Sequence, residues 1–356
     1  MTDDMFDPKM MDYSDRDVRL PSRPEADPDV EVSDEERITM YRLLQELRQF
    51  EKRAYNLFLQ NLVKGTSHLS LGMEAVAAGF GAALRPDDYT FATYRGHAHT
   101  LARGAPMGPV LAELLGRENG ILAGKGGSMH LTSVEHGMMG SYAIVGAHLC
   151  VANGTAWSAQ LRGTDQVSVA FFGDGAANIG AFHEAVNLAA VWNLPTVFVC
   201  ENNLYMEYTP IDVVTAVEHP AADRASAYGL ERIVVDGNDV DAVYDVARDV
   251  IARARRGEGP SMVEAMTYRH GGHSRADPAK YRPSDEVEAW LEYDPVAIYH
   301  ERLLRLGVDE EQLARISREV AQHVDEATEF AKAGEVPDIS TAFTDVWADG
   351  GYAWRN

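Results

Sequence analysis

Cysteine is nearly missing from this chain: Cys150 and Cys200 are the two thiols in 356 residues. Two thiols cannot build a disulfide framework, and so sparse a set fits a reducing compartment such as the cytoplasm. Long apolar runs are missing as well. No stretch of about 18 apolar residues occurs, which argues against a membrane-spanning helix. Positive charge is scarce: 32 Lys and Arg stand against 55 Asp and Glu, for a formal net charge of −23. A surface so acidic repels nucleic-acid backbones and anionic lipid, so neither nucleic acid nor membrane is an expected partner. Any anionic ligand must find a local cluster of donors or a metal ion. The first 30 residues hold many acids and four prolines but no apolar core segment. They read as neither a signal peptide nor a basic transit peptide, and residues 1–32 are expected to form a flexible acidic arm.

What is present is an ordinary globular composition, 46% apolar and 24% charged, long enough for one large domain or two medium ones. Ser33 and Glu36 read as a capping box for a helix running to about Val63. Residues 74–84 read as a small-residue helix, and 88–93 as a strand feeding the loop Tyr94-Arg95-Gly96-His97. Residues 107–116 again look helical. The glycine-rich stretch 124–130 and the residues 137–146 read as loops; the first is a weak ligand signal, since glycines are also ordinary turn material. It is no Walker loop, because glycine follows Gly124-Lys125 where Ser or Thr is needed. Residues 166–172 and 196–200 read as buried parallel strands joined by a helix over 180–192. A strand at 232–235, a helix near 239–256 and a strand at 261–266 continue the pattern. Residues 285–330 read as helical. The expected fold is a parallel α/β sheet with helices on both faces, over 33–335, followed by a tail over 336–356.

Right-handed βαβ units put the carboxyl ends of their strands on one sheet edge. Asp174 follows the first buried strand and Asn202-Asn203 the second. Neighbouring strands lie about 4.8 Å apart, so a carboxylate and an amide oxygen can share one small ion if the strands are adjacent or nearly so. Such a hard-oxygen set suits magnesium with diphosphate oxygens completing its shell. Gly-Asp-Gly alone is more often a turn. The pairing with Asn203 at strand-helix-strand spacing favours the ligand reading.

Several words accompany that pair: Tyr94-Arg95-Gly96-His97, Gly124-Lys125-Gly126-Gly127-Ser128-Met129-His130, Ile144-Val145-Gly146-Ala147, Gly173-Asp174-Gly175-Ala176-Ala177-Asn178 and Gly272-His273-Ser274 with Asp277-Pro278. Together they resemble the alpha subunits of thiamine-diphosphate-dependent 2-oxo acid dehydrogenases and acetoin dehydrogenases, over about residues 35–330. The resemblance implies the thiamin diphosphate-binding fold, with thiamine diphosphate and Mg2+ as cofactors. It implies that Asp174 and Asn203 hold the ion through side chains and Tyr205 through its carbonyl. Gly173, Gly175 and Ala176 would lie against the cofactor, the last two donating amides to the diphosphate. His68, Tyr94 and Arg95 match positions at the diphosphate end, and Val145 one against the aminopyrimidine ring. His68 also reads as a plain structural histidine. His97 and His99 lack further spaced ligands for zinc and are expected to be structural.

The same resemblance makes His273 an active-site histidine that assists cofactor placement and acyl transfer. Arg269, Tyr281 and Arg282 would lie around its loop, with Arg282 ordering it. Ser274 matches a serine phosphorylated in mitochondrial relatives, and His270 has no assigned role. No carboxylate in this chain is a persuasive partner for the aminopyrimidine. The resemblance supplies it from a beta subunit, implying a two-alpha two-beta heterotetramer that passes its acyl group to a lipoyl-bearing acyltransferase. Ile179 stands where relatives carry a glutamine and removes a polar group near the substrate, and Met206-Glu207-Tyr208 bring bulk that argues against branched-chain 2-oxo acids; pyruvate is placed first, ahead of acetoin. A non-catalytic scaffold and a metal-dependent hydrolase remain as readings of other classes.

Overall fold

The structure is a computed structural model that describes residues 13–22, 30–63 and 65–347. Residues 1–12 and 23–29 of the expected arm and 348–356 of the expected tail lie outside the described residues. Helix α1 (Asp34–Leu59) opens on the expected capping box, with Ser33 Oγ accepting from Glu36 N–H and the Glu36 carboxylate accepting from Ser33 N–H. Then come α2 (Glu74–Ala83), β1 (Tyr89–Thr93), α3 (His97–Ala102), α4 (Met107–Leu114), β2 (Met138–Tyr142) and α5 (Ala147–Arg162). The central unit is β3 (Ser168–Gly173), α6 (Gly180–Trp192) and β4 (Thr196–Asn202), followed by a small hairpin, β5 (Tyr205–Met206) and β6 (Thr209–Pro210). Short helices α7 (Ile211–Val214) and α8 (Ala222–Ala225) lead to β7 (Ile233–Asp236), α9 (Val240–Arg255) and β8 (Ser261–Met266). Helices α10 (Ser284–Glu292), α11 (Pro295–Arg305) and α12 (Glu310–Ala333) complete the described elements of regular length.

The six long strands form one sheet in the order β2-β1-β3-β4-β8-β7, every pair parallel. All carboxyl ends therefore lie on one edge. The period-two alternation of the strands divides the core. Val169, Phe171, Val197, Val199 and Val263 pack with residues of α2 and α9 on one face. Ala170, Phe172, Phe198, Cys200 and Met262 pack with α5 and α6 on the other. Strands covered on both faces need continuous apolar sequence, as β3 and β4 have. A third cluster joins α1, α4, α11 and α12 outside α2. The α/β expectation is met.

Three local expectations need correction. Helix α1 stops at Leu59 rather than Val63, because Asn61 takes a left-handed φ of 57°. Leu62 N–H then bonds Leu57 O at 3.0 Å and Asn61 N–H bonds Phe58 O at 2.8 Å, a Schellman closure with Asn in glycine's place. The expected loop over 137–146 contains the edge strand β2. Helix α3 begins at His97, where the loop was expected to continue, and α5 follows directly on Gly146.

Residues 13–22, assigned by sequence to the flexible arm, lie against the domain. Tyr13 packs on an aromatic cluster that includes Tyr205, Tyr268 and Trp290. Trp290 Nε1–H donates to the Arg19 carbonyl at 2.7 Å.

Candidate functional site

β3 and β4 are adjacent, paired through Gly173 and Glu201, so Asp174 and Asn203 leave neighbouring strand ends. Both line one cavity of about 540 Å³ on the carboxyl edge. Asp174 begins a 3₁₀ turn (Asp174–Asn178) that separates β3 from α6. The turn is tied down by Arg224 of α8, which donates to Ala177 O at 2.7 Å and Asn178 Oδ1 at 2.9 Å.

Asp174 is buried, and Oδ1 accepts from Gly175 N–H at 2.7 Å. The Gly175 amide, expected to face the diphosphate, is thus engaged by its neighbour. Oδ2 is buried with no partner. Burial pushes the Asp174 carboxyl up to about 6, with the Gly175 N–H and the Arg269 charge pulling the other way. A carboxylate in that position lacks a cation. The next strand end supplies an amide oxygen. Asn203 Oδ1 accepts from Tyr205 N–H at 3.3 Å, and the Tyr205 hydroxyl donates away from the cavity to Glu286 at 2.7 Å. The backbone at Gly175 approaches the hairpin closely: a Cβ there would sit 2.5 Å from Met206 Cγ, and the Met206 side chain would have to shift.

Two arginines line the same cavity. Arg95 is buried and donates to the carbonyls of Leu69 and His273, the latter at 2.9 Å. Arg269 is also buried, bonds Glu207 O at 3.0 Å and leaves its Nε without a partner. Among the described residues neither guanidinium makes an ion pair. Burial, then the neighbouring Arg269 charge, lowers the Arg95 pKa to about 10. Two buried guanidinium groups that share no ion pair thus line one cavity.

Three rings meet in tilted and edge-to-face contacts in the same cavity. The His68 ring centroid lies 4.4 Å from Tyr94 and 4.9 Å from His273. Burial first, then the charge of Arg95, lowers His68 to about 3 and His273 to about 4. His68 Nδ1 is a further buried atom without a partner. The His273 loop is held from its other side by Asp277, whose Oδ2 accepts from His273 N–H at 2.6 Å and Tyr281 O–H at 2.7 Å. Glycine at 272 is obligatory, because a Cβ would stand 2.4 Å from the Asp277 carbonyl.

The cavity thus gathers His68, Tyr94, Arg95, Val145, Gly173, Asp174, Gly175 and Ala176 from the sequence expectation, with Ile179, Asn203, Tyr205, Arg269 and His273. It does not gather Ser274, Tyr281 or Arg282. Ser274 and Arg282 line a separate cavity of about 580 Å³. Arg282 donates to Arg269 O at 2.7 Å and so fixes the start of the loop, whereas Tyr281 packs in the aromatic cluster. Sequence reasoning missed Met73, Thr93, Met129 and Ala143, which carry no chemistry that would mark them. Glu201 and Glu207 also line the wall, and Glu201 is taken up by His99 Nε2 at 3.2 Å. His97 bridges Glu51 and Ser128, so both histidines are structural. Among the described residues no three His, Cys, Asp or Glu side chains form a metal-binding group.

Comparison with known proteins follows the same outline. The family model described as "Dehydrogenase E1 component" matches residues 42–340. The chain is 43% identical over 317 residues to the alpha subunit of an acetoin:2,6-dichlorophenolindophenol oxidoreductase from Bacillus subtilis, covering 89% of this chain and 95% of that one. It is 40% identical over 318 residues to the alpha subunit of a pyruvate dehydrogenase E1 component from Rhizobium meliloti, covering 89% and 91%. The corresponding subunit from Zymomonas mobilis is 41% identical over 315 residues, with 88% of each chain covered. With the family model spanning most of the chain and relatives matched nearly end to end, this protein belongs to the dehydrogenase E1 component family.

Proposed function

We propose that the carboxyl-edge cavity holds thiamine diphosphate and magnesium, and that the chain is the alpha subunit of a dehydrogenase that oxidatively decarboxylates a 2-oxo acid, pyruvate foremost. The observation that carries this reading is the set of unpartnered buried atoms: Asp174 Oδ2, Arg269 Nε and His68 Nδ1 all belong to residues of one cavity. An anion-acceptor at one wall and donors at the other fit a divalent ion bridging to a diphosphate. Asp174, Asn203 and the Tyr205 carbonyl would hold the ion. Arg95, Arg269 and His68 would take the diphosphate end.

When bound, the cofactor supplies the carbon nucleophile and the electron sink that decarboxylation needs. The chain's own groups orient and desolvate. His273, uncharged near neutral pH, can accept or deliver a proton at the cavity wall without adding to the charge of Arg95 and Arg269. Of the carboxylates that line the cavity, Glu201 holds His99 and Asp174 would face the ion, while Glu207 sits on the hairpin beyond Asn203 and is not assigned to the aminopyrimidine. A beta subunit would therefore complete the site in a two-alpha two-beta assembly, with a lipoyl-bearing acyltransferase as acceptor. The names of the relatives, alpha subunits in each case, support a partner chain. The two free cysteines, Cys150 and Cys200, support a reducing cytoplasmic setting. Acetoin is the second reading, favoured by the 43% identity to the Bacillus subtilis acetoin-oxidoreductase subunit.

The test is co-expression with a beta subunit, then thermal unfolding with and without thiamine diphosphate and Mg2+, and turnover on pyruvate, acetoin and branched 2-oxo acids. Ligand at a hundredfold its dissociation constant should add about 2.7 kcal/mol of stability. Asp174→Asn should abolish that gain. No gain in the unsubstituted assembly would instead favour a scaffold.

A further inference from the structure

The hairpin that follows Asn203 is under strain. Leu204 takes a φ of 71° and Glu207 one of 55°, both in the left-handed region that side chains with a Cβ rarely occupy. Something must hold this backbone in place. The Leu204 carbonyl accepts from Ile211 N–H at 2.9 Å, inside the hairpin. Its second partner comes from far away in sequence: Arg19 Nη1–H donates to it at 3.1 Å.

Arg19 has further attachments, among them an ion pair of its Nη1 with Asp212 at 3.7 Å. Its backbone N–H and Nε–H both donate to Glu286 Oε2, at 3.1 and 3.2 Å. Its guanidinium lies 4.7 Å over the Tyr205 ring. Glu286 is fully buried, and its other oxygen takes the hydroxyls of Tyr205 at 2.7 Å and Tyr268 at 2.9 Å. Among the described residues Arg19 is the one cation paired with this carboxylate. Removing its guanidinium would leave a buried charge with two hydroxyls and one backbone N–H as donors, directly behind Tyr205.

We propose that Arg19 is a positioning residue of the cation site: the N-terminal segment is laid on the domain so that its guanidinium fixes the Leu204–Tyr205 backbone and thereby the carbonyl that faces the ion. The inference rests on the reading of Asp174, Asn203 and Tyr205 as the magnesium ligands. It gives residues 13–22 a function in cofactor retention that their acidic surroundings do not suggest. Groups that orient metal ligands act at one remove, and their loss weakens metal binding without touching the ligands themselves.

The experiment is a calorimetric Mg2+ titration, at saturating thiamine diphosphate, of the full-length chain assembled with its beta subunit. Arg19→Ala should weaken Mg2+ binding about tenfold. Arg19→Lys should fall between the two, since an ammonium keeps the Glu286 pair but loses the forked reach to Leu204. Millimolar ethylguanidinium should restore part of the loss in Arg19→Ala, which a general loss of folding would not allow. Arg16→Ala, which removes an ion pair with Asp212 on the same segment but no bond to Leu204, should leave Mg2+ affinity within twofold. Unchanged Mg2+ affinity in Arg19→Ala, alongside lost binding in Asp174→Asn, would overturn the role of Arg19 alone. Unchanged affinity in both variants would overturn the cation site as well.

Discussion

Asn202 donates its side-chain amide to Glu264 at 2.7 Å, so the first asparagine of the pair is held by the adjacent strand while the second lines the cavity. The Asn202 side-chain oxygen in turn accepts from Leu204 N–H at 3.0 Å, which orients the residues on either side of Asn203. Glu264 is fully buried and also accepts from the N–H groups of Ala221 and Ala222, each at 2.9 Å. With His219 Nδ1 also 3.3 Å from its Oε1, it is a collection point for donors. Glu264→Gln would turn an amide N–H2 toward one of them. The expected cost is roughly 2–3 kcal/mol in urea unfolding of the cofactor-free protein. The thermal gain on adding thiamine diphosphate and Mg2+ should shrink as well. Full stability and a full gain would show that the Asn202–Leu204 link does not depend on this carboxylate.

The two cavity histidines set an acid limit. His68 and His273 fall to about 3 and about 4 in the folded chain, chiefly through burial, against an ordinary value of 6.5. Between pH 6.5 and about 4 the unfolded chain binds protons at these rings that the folded chain refuses, so the two histidines lower stability as pH falls through that window, against the opposite contribution of the Asp174 and Asp236 carboxyls, each raised by burial to about 6. Above pH 6.5 both states hold these rings neutral, and no further gain is expected. Urea midpoints measured at steps from pH 8 to 4 should show this slope. The double variant His68→Gln, His273→Gln should reduce it, leaving the part contributed by buried His148, lowered to about 4; a slope of unaltered steepness would assign the acid sensitivity to other groups.

Glu113 explains the glycine-rich stretch. Its carboxylate accepts from the N–H groups of Leu122 at 2.8 Å, Gly124 at 2.9 Å, Gly126 at 2.7 Å and Gly127 at 3.1 Å. Backbone donors that could have cradled a phosphate are already occupied by a buried side chain. Glu113→Gln is therefore expected to cost about 2–4 kcal/mol of stability while leaving thiamine diphosphate affinity within twofold. Chemical denaturation and a cofactor titration on the same preparation separate the two effects. A large loss of cofactor affinity would mean the loop touches the ligand after all.

How much of this was legible in the sequence depended on the kind of signal each element leaves. β3 and β4 announce themselves, because a strand covered on both faces must be apolar throughout and the glycines of Gly173-Asp174-Gly175 end the first abruptly. Helix α5 is silent: its buried face is built from Ala152, Ala156 and Ala159, whose small side chains give little periodic contrast, and Gly154 interrupts it. β2 is an edge strand of five residues with a glycine in its centre. At the site, Asp174 and Asn203 were readable because one βαβ unit carries both. Arg19, Glu113 and Glu264 were not, since each acts on residues brought to it only by the tertiary fold. A buried carboxylate that collects N–H groups has no spacing rule to betray it.

Ile179 and Met206 are expected to limit the size of substrate the cavity admits. Both line it, and both are packed against glycines: a Cβ on Gly146 would meet Ile179 Cδ1 at 2.3 Å, and one on Gly175 would meet Met206 Cγ at 2.5 Å. The side chains fill space that a longer acyl group would need. Steric exclusion of one or two methylenes is worth about 1–3 kcal/mol, or roughly 10–200-fold in kcat/KM. Met206→Ala, in the assembly with its beta subunit, should therefore raise kcat/KM for branched-chain 2-oxo acids relative to pyruvate by about tenfold. Adding Ile179→Ala should extend the effect, and because the two side chains touch different glycines their contributions should be close to additive. Competition assays with paired substrates measure the ratio directly and cancel any common loss of activity. An unchanged ratio in the double variant would place the acyl pocket on the partner chain's side of the site, and the preference for small substrates would then have to come from there.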